Sequence, residues 1–163
     1  MASFIHLGSE VVFNETVSNV TAANSVLPGM RRMDDSGNEY VYVYNASNSQ
    51  ISQGQFAVLA TGVSGYSVTV SNVTLQDLAI GVARNATLTT GTYGWLLTRG
   101  FSPLSTDNVS GATGQVLSLG TTGNFQVLTS AAGSFTTSTI VGRLQSSVAT
   151  GVTAANAAFF NFA

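Results

Sequence analysis

The sequence predicts an all-β protein, a small antiparallel β-barrel or sandwich of about eight or more short strands. Three observations predict it. The apolar runs are short, 17 glycines interrupt them, and several alternate at period two, the repeat of a strand whose side chains face opposite ways in turn. At 163 residues one domain is the default, with room for a sizeable core.

The elements follow along the chain. Residues 1–28 are expected to form an N-terminal arm or a first hairpin, with strand-like Glu10–Phe13 and Thr16–Thr21 ending at the breaker Leu27-Pro28-Gly29. The body, 29–163, opens with the turn-forming Asp34–Asn38. Glu39–Tyr44 then alternates, with Tyr40, Tyr42 and Tyr44 on one face and Val41 and Val43 on the other. Both faces are apolar, so the strand is either buried on both sides or offers its tyrosines to a partner. Gln55–Ala60, Tyr66–Val73, Leu78–Arg84 and Gly94–Arg99 are the next strands. Gln115–Leu119 and Asn124–Leu128 form a hairpin around Gly120–Gly123, and Thr137–Gln145 and Ala157–Phe162 complete the set. Only Val73–Ala79 and Val152–Ala158 suit a turn of helix.

Charge is the outlying property. Only 7% of residues are charged, none is lysine, and the net charge is −2. Soluble domains average about 25% charged residues. Serine and threonine, about a quarter of the chain, supply polarity instead. Free sheet edges are ordinarily blunted by lysine, proline or inward charge. With two prolines and no lysine, the edges must be closed into a barrel or covered by neighbours. The expectation is therefore a homo-oligomer or an assembly component.

The same composition argues against several function classes. Arg31, Arg32, Arg84, Arg99 and Arg143 are scattered, which gives no basic face for nucleic acid. No window approaches the ~20 apolar residues of a membrane span, and Met1–His6 does not read as a secretion signal. The absence of cysteine excludes disulfides, thiolate catalysis and zinc–sulfur sites. Asn-x-Ser/Thr at Asn14, Asn19, Asn45, Asn72, Asn85 and Asn108 reflects composition more than glycosylation.

No catalytic, cofactor-binding or metal-binding residues are expected. His6 is the sole histidine and has no second ligand type nearby. Asp34, Asp35 and Glu39 do not match the twelve-residue calcium loop, because Gly37 falls at its fourth position. They read as a polar hairpin turn with Arg31 and Arg32 as counter-charges. Gly111–Gly114 lacks the Lys-Ser/Thr of a phosphate loop. Tyr93 and Trp95 suit a sugar platform, but a lone tryptophan in a strand belongs more often to a core or interface. The expectation is a non-enzyme.

Gly81-Val-Ala-Arg-Asn-Ala-Thr-Leu-Thr-Thr-Gly-Thr-Tyr-Gly-Trp-Leu-Leu-Thr-Arg-Gly100 resembles the central segment of tailed-phage capsid cement, or decoration, proteins, in which a Gly-Val-Ala strand turns into a Tyr-Gly-Trp strand. Met30–Asn45 and Ile140–Gln145 are similar to their early and late strands, so the resemblance spans roughly 28–162. It implies a structural virion protein on the outer surface of the capsid, assembled in the bacterial cytoplasm. The implied partners are the major capsid protein and its own copies, a trimer being favoured. Residues 3–26 are expected to add an arm to the shell protein, while the tyrosine face and Phe159, Phe160 and Phe162 supply a subunit core or seam. The alternative is another virion or surface module: a head-fibre base, tail component or adhesin. A small hydrolase using His6 and the acidic cluster is the third class.

Overall fold

The alternation of Tyr40 to Tyr44 builds the strand around which the first half of the molecule closes. The computed structural model describes residues 18, 20–22, 26–60, 65–70, 79–106, 110–120, 122–128, 140–149 and 154–162. It contains β1 (Arg31–Met33), β2 (Glu39–Asn45), β3 (Phe56–Leu59), β4 (Ser67–Val70), β5 (Ala79–Val82), β6 (Tyr93–Leu104), β7 (Val116–Leu119), β8 (Phe125–Leu128), β9 (Ile140–Leu144) and β10 (Ala154–Asn161). Among the described residues there is no helix, and the all-β expectation holds.

Some boundaries differ from the sequence reading. β1, which the sequence did not announce, folds back on β2 around the Asp34–Asn38 turn. β6 runs on past Arg99 through Gly100 and Pro103, two residues that read as breakers. Pro103 falls where the pairing with β10 slips, between Ser102↔Ala158 and Leu104↔Ala154, so its missing N–H interrupts no regular ladder. The helical option at Val152–Ala158 is overturned from Ala154 onward, because β10 finds a ladder partner in β6. Ala79 opens β5; the rest of Val73–Ala79 lies outside the described residues, as do 71–73 and 137–139 of the expected strands.

β2 pairs with β6 and β4, β4 with β3, β3 with β5, and β5 with β6, which closes a five-strand barrel. The β2–β4 pairing is parallel, a departure from the purely antiparallel expectation. It arises because the β3–β4 hairpin swings back beside β2, leaving β4 in β2's own direction.

β6 outlasts this ring. Its second half pairs with β10, followed by β9, β7 and β8, and Thr106 just beyond it meets Phe125 of β8 in a parallel bridge. Strand order and directions repeat those of the first ring. The end of β6 takes the part of β2, while β7, β8, β9 and β10 take those of β3, β4, β5 and the start of β6. The chain is thus two units of one topology that share a strand.

The correspondence extends to single bonds. Gly54 N donates to Ala83 O and Ala83 N to Gln55 O; in the second unit Gly114 N donates to Leu144 O and Leu144 N to Gln115 O. Ser52 N donates to Gln55 Oε1 at 2.8 Å, and Ala112 N to Gln115 Oε1 at 2.6 Å. Gly54 and Gly114 adopt φ +85° and +87°, a left-handed turn that excludes most side chains. Even the bulges coincide: β3–β5 slips between Ala57↔Gly81 and Val58↔Ala79, and β7–β9 between Leu117↔Gly142 and Ser118↔Ile140. A Cβ on Gly81 or Gly142 would strike the carbonyl oxygen of Leu97 or Phe159.

Val41, Val43, Ile51, Ala57, Val68, Ala83, Leu88 and Leu96 fill the first barrel. The corresponding Ser102, Leu104, Leu117, Phe125, Leu144, Val148 and Ala158 are buried in the second unit. The outer face of the first barrel (Tyr40, Tyr42, Phe56, Val58, Val82, Trp95 and Leu97) joins that second interior in one cluster. The tyrosine strand is therefore buried on both sides.

Candidate functional site

The acidic group at 34–39 is a folded turn. Asp34 accepts hydrogen bonds from Ser36 N, Asn38 N, both through Oδ1, and from Asn38 Nδ2 and the Tyr40 hydroxyl, the last at 3.0 Å. Arg84, from the loop after β5, lies 3.4 Å from its Oδ2 and also donates to the Tyr40 hydroxyl. Burial by itself raises the Asp34 pKa; the bonds from Asn38, Tyr40 and Ser36 outweigh it and hold the carboxyl below its ordinary value. Burial likewise raises the Tyr40 hydroxyl, against the nearby Arg84. Glu39 sits 3.3 Å from Arg99. The hairpin-turn reading stands with a correction: the cations beside Asp34 and Glu39 are Arg84 and Arg99, brought in by β5 and β6, where the sequence offered Arg31 and Arg32.

Trp95 is 2% exposed and tilts against Tyr42 at 5.0 Å between ring centroids. It is a core residue with no face open to a sugar. Asn45 is buried, donating to Ser49 O and Leu88 O, and the glycosylation motif there is a structural bracket. Asn85 is half-buried; Asn14, Asn19, Asn72, Asn108 and His6 lie outside the described residues. Among the described residues no cluster of three or more acidic, histidine or cysteine side chains is placed to hold a metal.

The expected seam residues separate. Tyr40, Tyr42 and Phe160 are buried, while Phe159 and Phe162 are half-buried. Of the N-terminal segment, the described residues belong to the body. Thr21 exchanges two backbone bonds with Tyr93, Val20 packs against the first barrel's core, and Val26 is 8% exposed inside the larger cluster. Residues 1–17 lie outside the described residues.

What the surface offers is apolar contact. Leu27, Met33, Tyr66 and Phe101 are large hydrophobic residues exposed at 71%, 63%, 36% and 45%. The sequence reading singled out none of these as a surface; Phe101 stood just past the point where it ended the strand. Phe101 meets Phe159 edge-on at 5.2 Å, and a cleft of about 320 Å³ beside Phe159 is lined by Val141, Gly142, Arg143, Gln145 and Asn161. Such an arrangement suits docking of a polypeptide and holds no paired acid and base for proton transfer. Comparison with family models, with curated proteins and with solved structures finds no match to this chain.

Proposed function

We propose that this chain is a structural virion protein that binds the outer surface of a phage capsid and clamps neighbouring capsomers, stabilising the DNA-filled head. The observation that carries the reading is how the few charges are used. Asp34, Glu39, Arg84 and Arg99 pair with one another across the first unit, while large apolar residues face outward. A surface of that kind is suited to being covered by other subunits. The likeness of Gly81–Gly100 to cement-protein segments points the same way, and β5 and β6 bring both ends of that segment into the barrel wall.

The physical role follows from multiplicity. Packaged DNA presses capsomers apart, and a clamp spanning their seam resists by holding both sides. Individually weak contacts suffice when many are engaged together, and a trimer makes each later engagement intramolecular. Residues 1–17 are the segment proposed to reach the shell protein, because Val20, Thr21 and Val26 are occupied in the body.

The test is to add a chain lacking residues 2–17 to undecorated heads. Loss of attachment with an unchanged melting transition supports the arm, and retained attachment removes it. Copy number on purified particles, counted by cryo-microscopy, separates cement (hundreds per particle) from a tail or fibre module (dozens at most).

A further inference from the structure

A sheet is safe from unplanned pairing only where each outer strand has a neighbour or is blunted. Among the described strands β1 is the one with a single neighbour, β2; at the other end of the strand order, Thr106 meets β8 beyond its free side. The register fixes which main-chain groups β1 leaves over. Tyr42 N donates to Met30 O and Asp34 N to Asn38 O, so residues 30, 32 and 34 turn their groups toward β2. Arg31 and Met33, between them, turn theirs away, which leaves two N–H and two C=O groups along the outer edge. No described residue bonds to these groups, and both residues are exposed, Met33 at 63%.

The second unit shows what a blunted edge looks like. Phe101 and Pro103 hold the places of Tyr40 and Tyr42. Where Tyr40 pairs with Arg32 of β1, Phe101 N donates to the Asn38 side chain at 3.1 Å. Where Tyr42 N reaches Met30 O, Pro103 has no N–H to offer. The outer side of β1 carries neither device.

The side chains beside this edge form an ordered row. Arg31 and Met33 share a face, being two residues apart, and the Tyr66 ring occupies the place a side chain on Gly29 would take. Tyr66 is 36% exposed, and Leu27, at 71%, ends the row beyond Gly29. The charge between these apolar groups is uncompensated. Asp34 and Glu39 are paired with Arg84 and Arg99, and no described acid lies against Arg31.

We propose that β1 takes up an added strand: an extended segment of a partner protein with an acidic residue between two apolar ones, at alternate positions. The acid faces Arg31, while the apolar residues face Met33 on one side and Tyr66 with Leu27 on the other. Main-chain bonds to Arg31 and Met33 hold the strand, and the side chains select it. A basic or wholly apolar segment is refused, because Arg31 would be repelled or covered without a partner. The free edge exists whatever particle the chain belongs to, so the strand site does not rest on the capsid reading.

The end-capped, fluorescent peptide Thr-Val-Thr-Glu-Thr-Val-Thr is the probe, its binding read by anisotropy. A Kd of about 100 μM is expected, rising with salt. Replacing its glutamate by lysine, or methylating that residue's main-chain nitrogen, should weaken binding about tenfold. Arg31→Glu should exchange the preference, taking the lysine peptide over the glutamate one, and Met33→Ser should weaken binding about threefold. Both positions are exposed, and unchanged melting confirms that the variants fold. No binding at ~1 mM, equal affinity for the lysine peptide, indifference to the main-chain methyl group, or an Arg31→Glu variant of unchanged preference overturns the proposal. So does sedimentation in which copies of the chain occupy the edge themselves, as a dimer that Arg31→Glu disrupts. Failure to bind heads by a chain that still takes the peptide counts against the capsid reading alone.

Discussion

Where the first unit sets Tyr40, Phe56, Val82 and Leu97 on its outer face, the second sets Phe101, Val116, Arg143 and Phe159, yet both build the same ring. Inside, the contrast is gentler. Val68 is matched by Phe125 and Leu96 by Ala158, a large-for-small exchange in each direction that keeps a packed interior. What stays constant is the backbone machinery: the Gly-Gln turn at 54–55 and 114–115, and the glycine pressed against a carbonyl at 81 and 142. The topology thus rests on a few positions where the main chain itself makes the contact. The side chains elsewhere follow whatever lies opposite them.

The largest effect should come from those glycines. Gly81→Ala and Gly142→Ala each drive a methyl group against main-chain oxygen that has no room to retreat, and each is expected to destabilise by about 3 kcal/mol in urea unfolding. A large loss at one and none at the other would break the equivalence of the units.

The Asp34 cluster comes next, and it belongs to the first unit. Asp34→Asn should cost about 2 kcal/mol by weakening bonds made to a charged acceptor. Because the folded carboxyl titrates below its unfolded value, its contribution is complete above the unfolded value and is lost as pH falls through the folded one. Thermal melts of wild type from neutral pH downward should show this acid loss, and the Asn variant should lack it.

The smallest effect has the opposite sign. Ser102 and Ser118 bury hydroxyls without a hydrogen-bond partner, at the places where the first unit has Val41 and Val58. Ser118→Ala should stabilise by about 1 kcal/mol, raising the melting temperature by about 3 °C. A loss of stability would show that Ser118 is not the dry counterpart of Val58.

The strands were legible because the pattern of alternation is local. Tyr40–Tyr44 announces β2 from side-chain periodicity alone, and Gly120–Gly123 announces the β7–β8 hairpin. The duplication was not legible as a hydrophobic repeat, since Phe56 faces Val116 and Val82 faces Arg143 across it. Its signal was sparse: Gly-Gln at 54–55 and 114–115, and a glycine between two strand residues at 81 and 142. The origin of Arg84 and Arg99 as counter-charges was equally hidden, because sequence distance says nothing about which strand closes the barrel beside the turn. The exposure of Phe101 depends on a strand that runs through a glycine and a proline, and local rules argue against that.

β6 serves as the last stave of one ring and the first of the next. A cut near Gly100 would leave each ring its five staves, but it would bare the outer face of the first, which shares one apolar cluster with the interior of the second. Heating should accordingly give a single calorimetric peak rather than two, and an attempt to express either half alone should yield insoluble material. The duplication has produced an indivisible object, although each of its parts is drawn to the same plan.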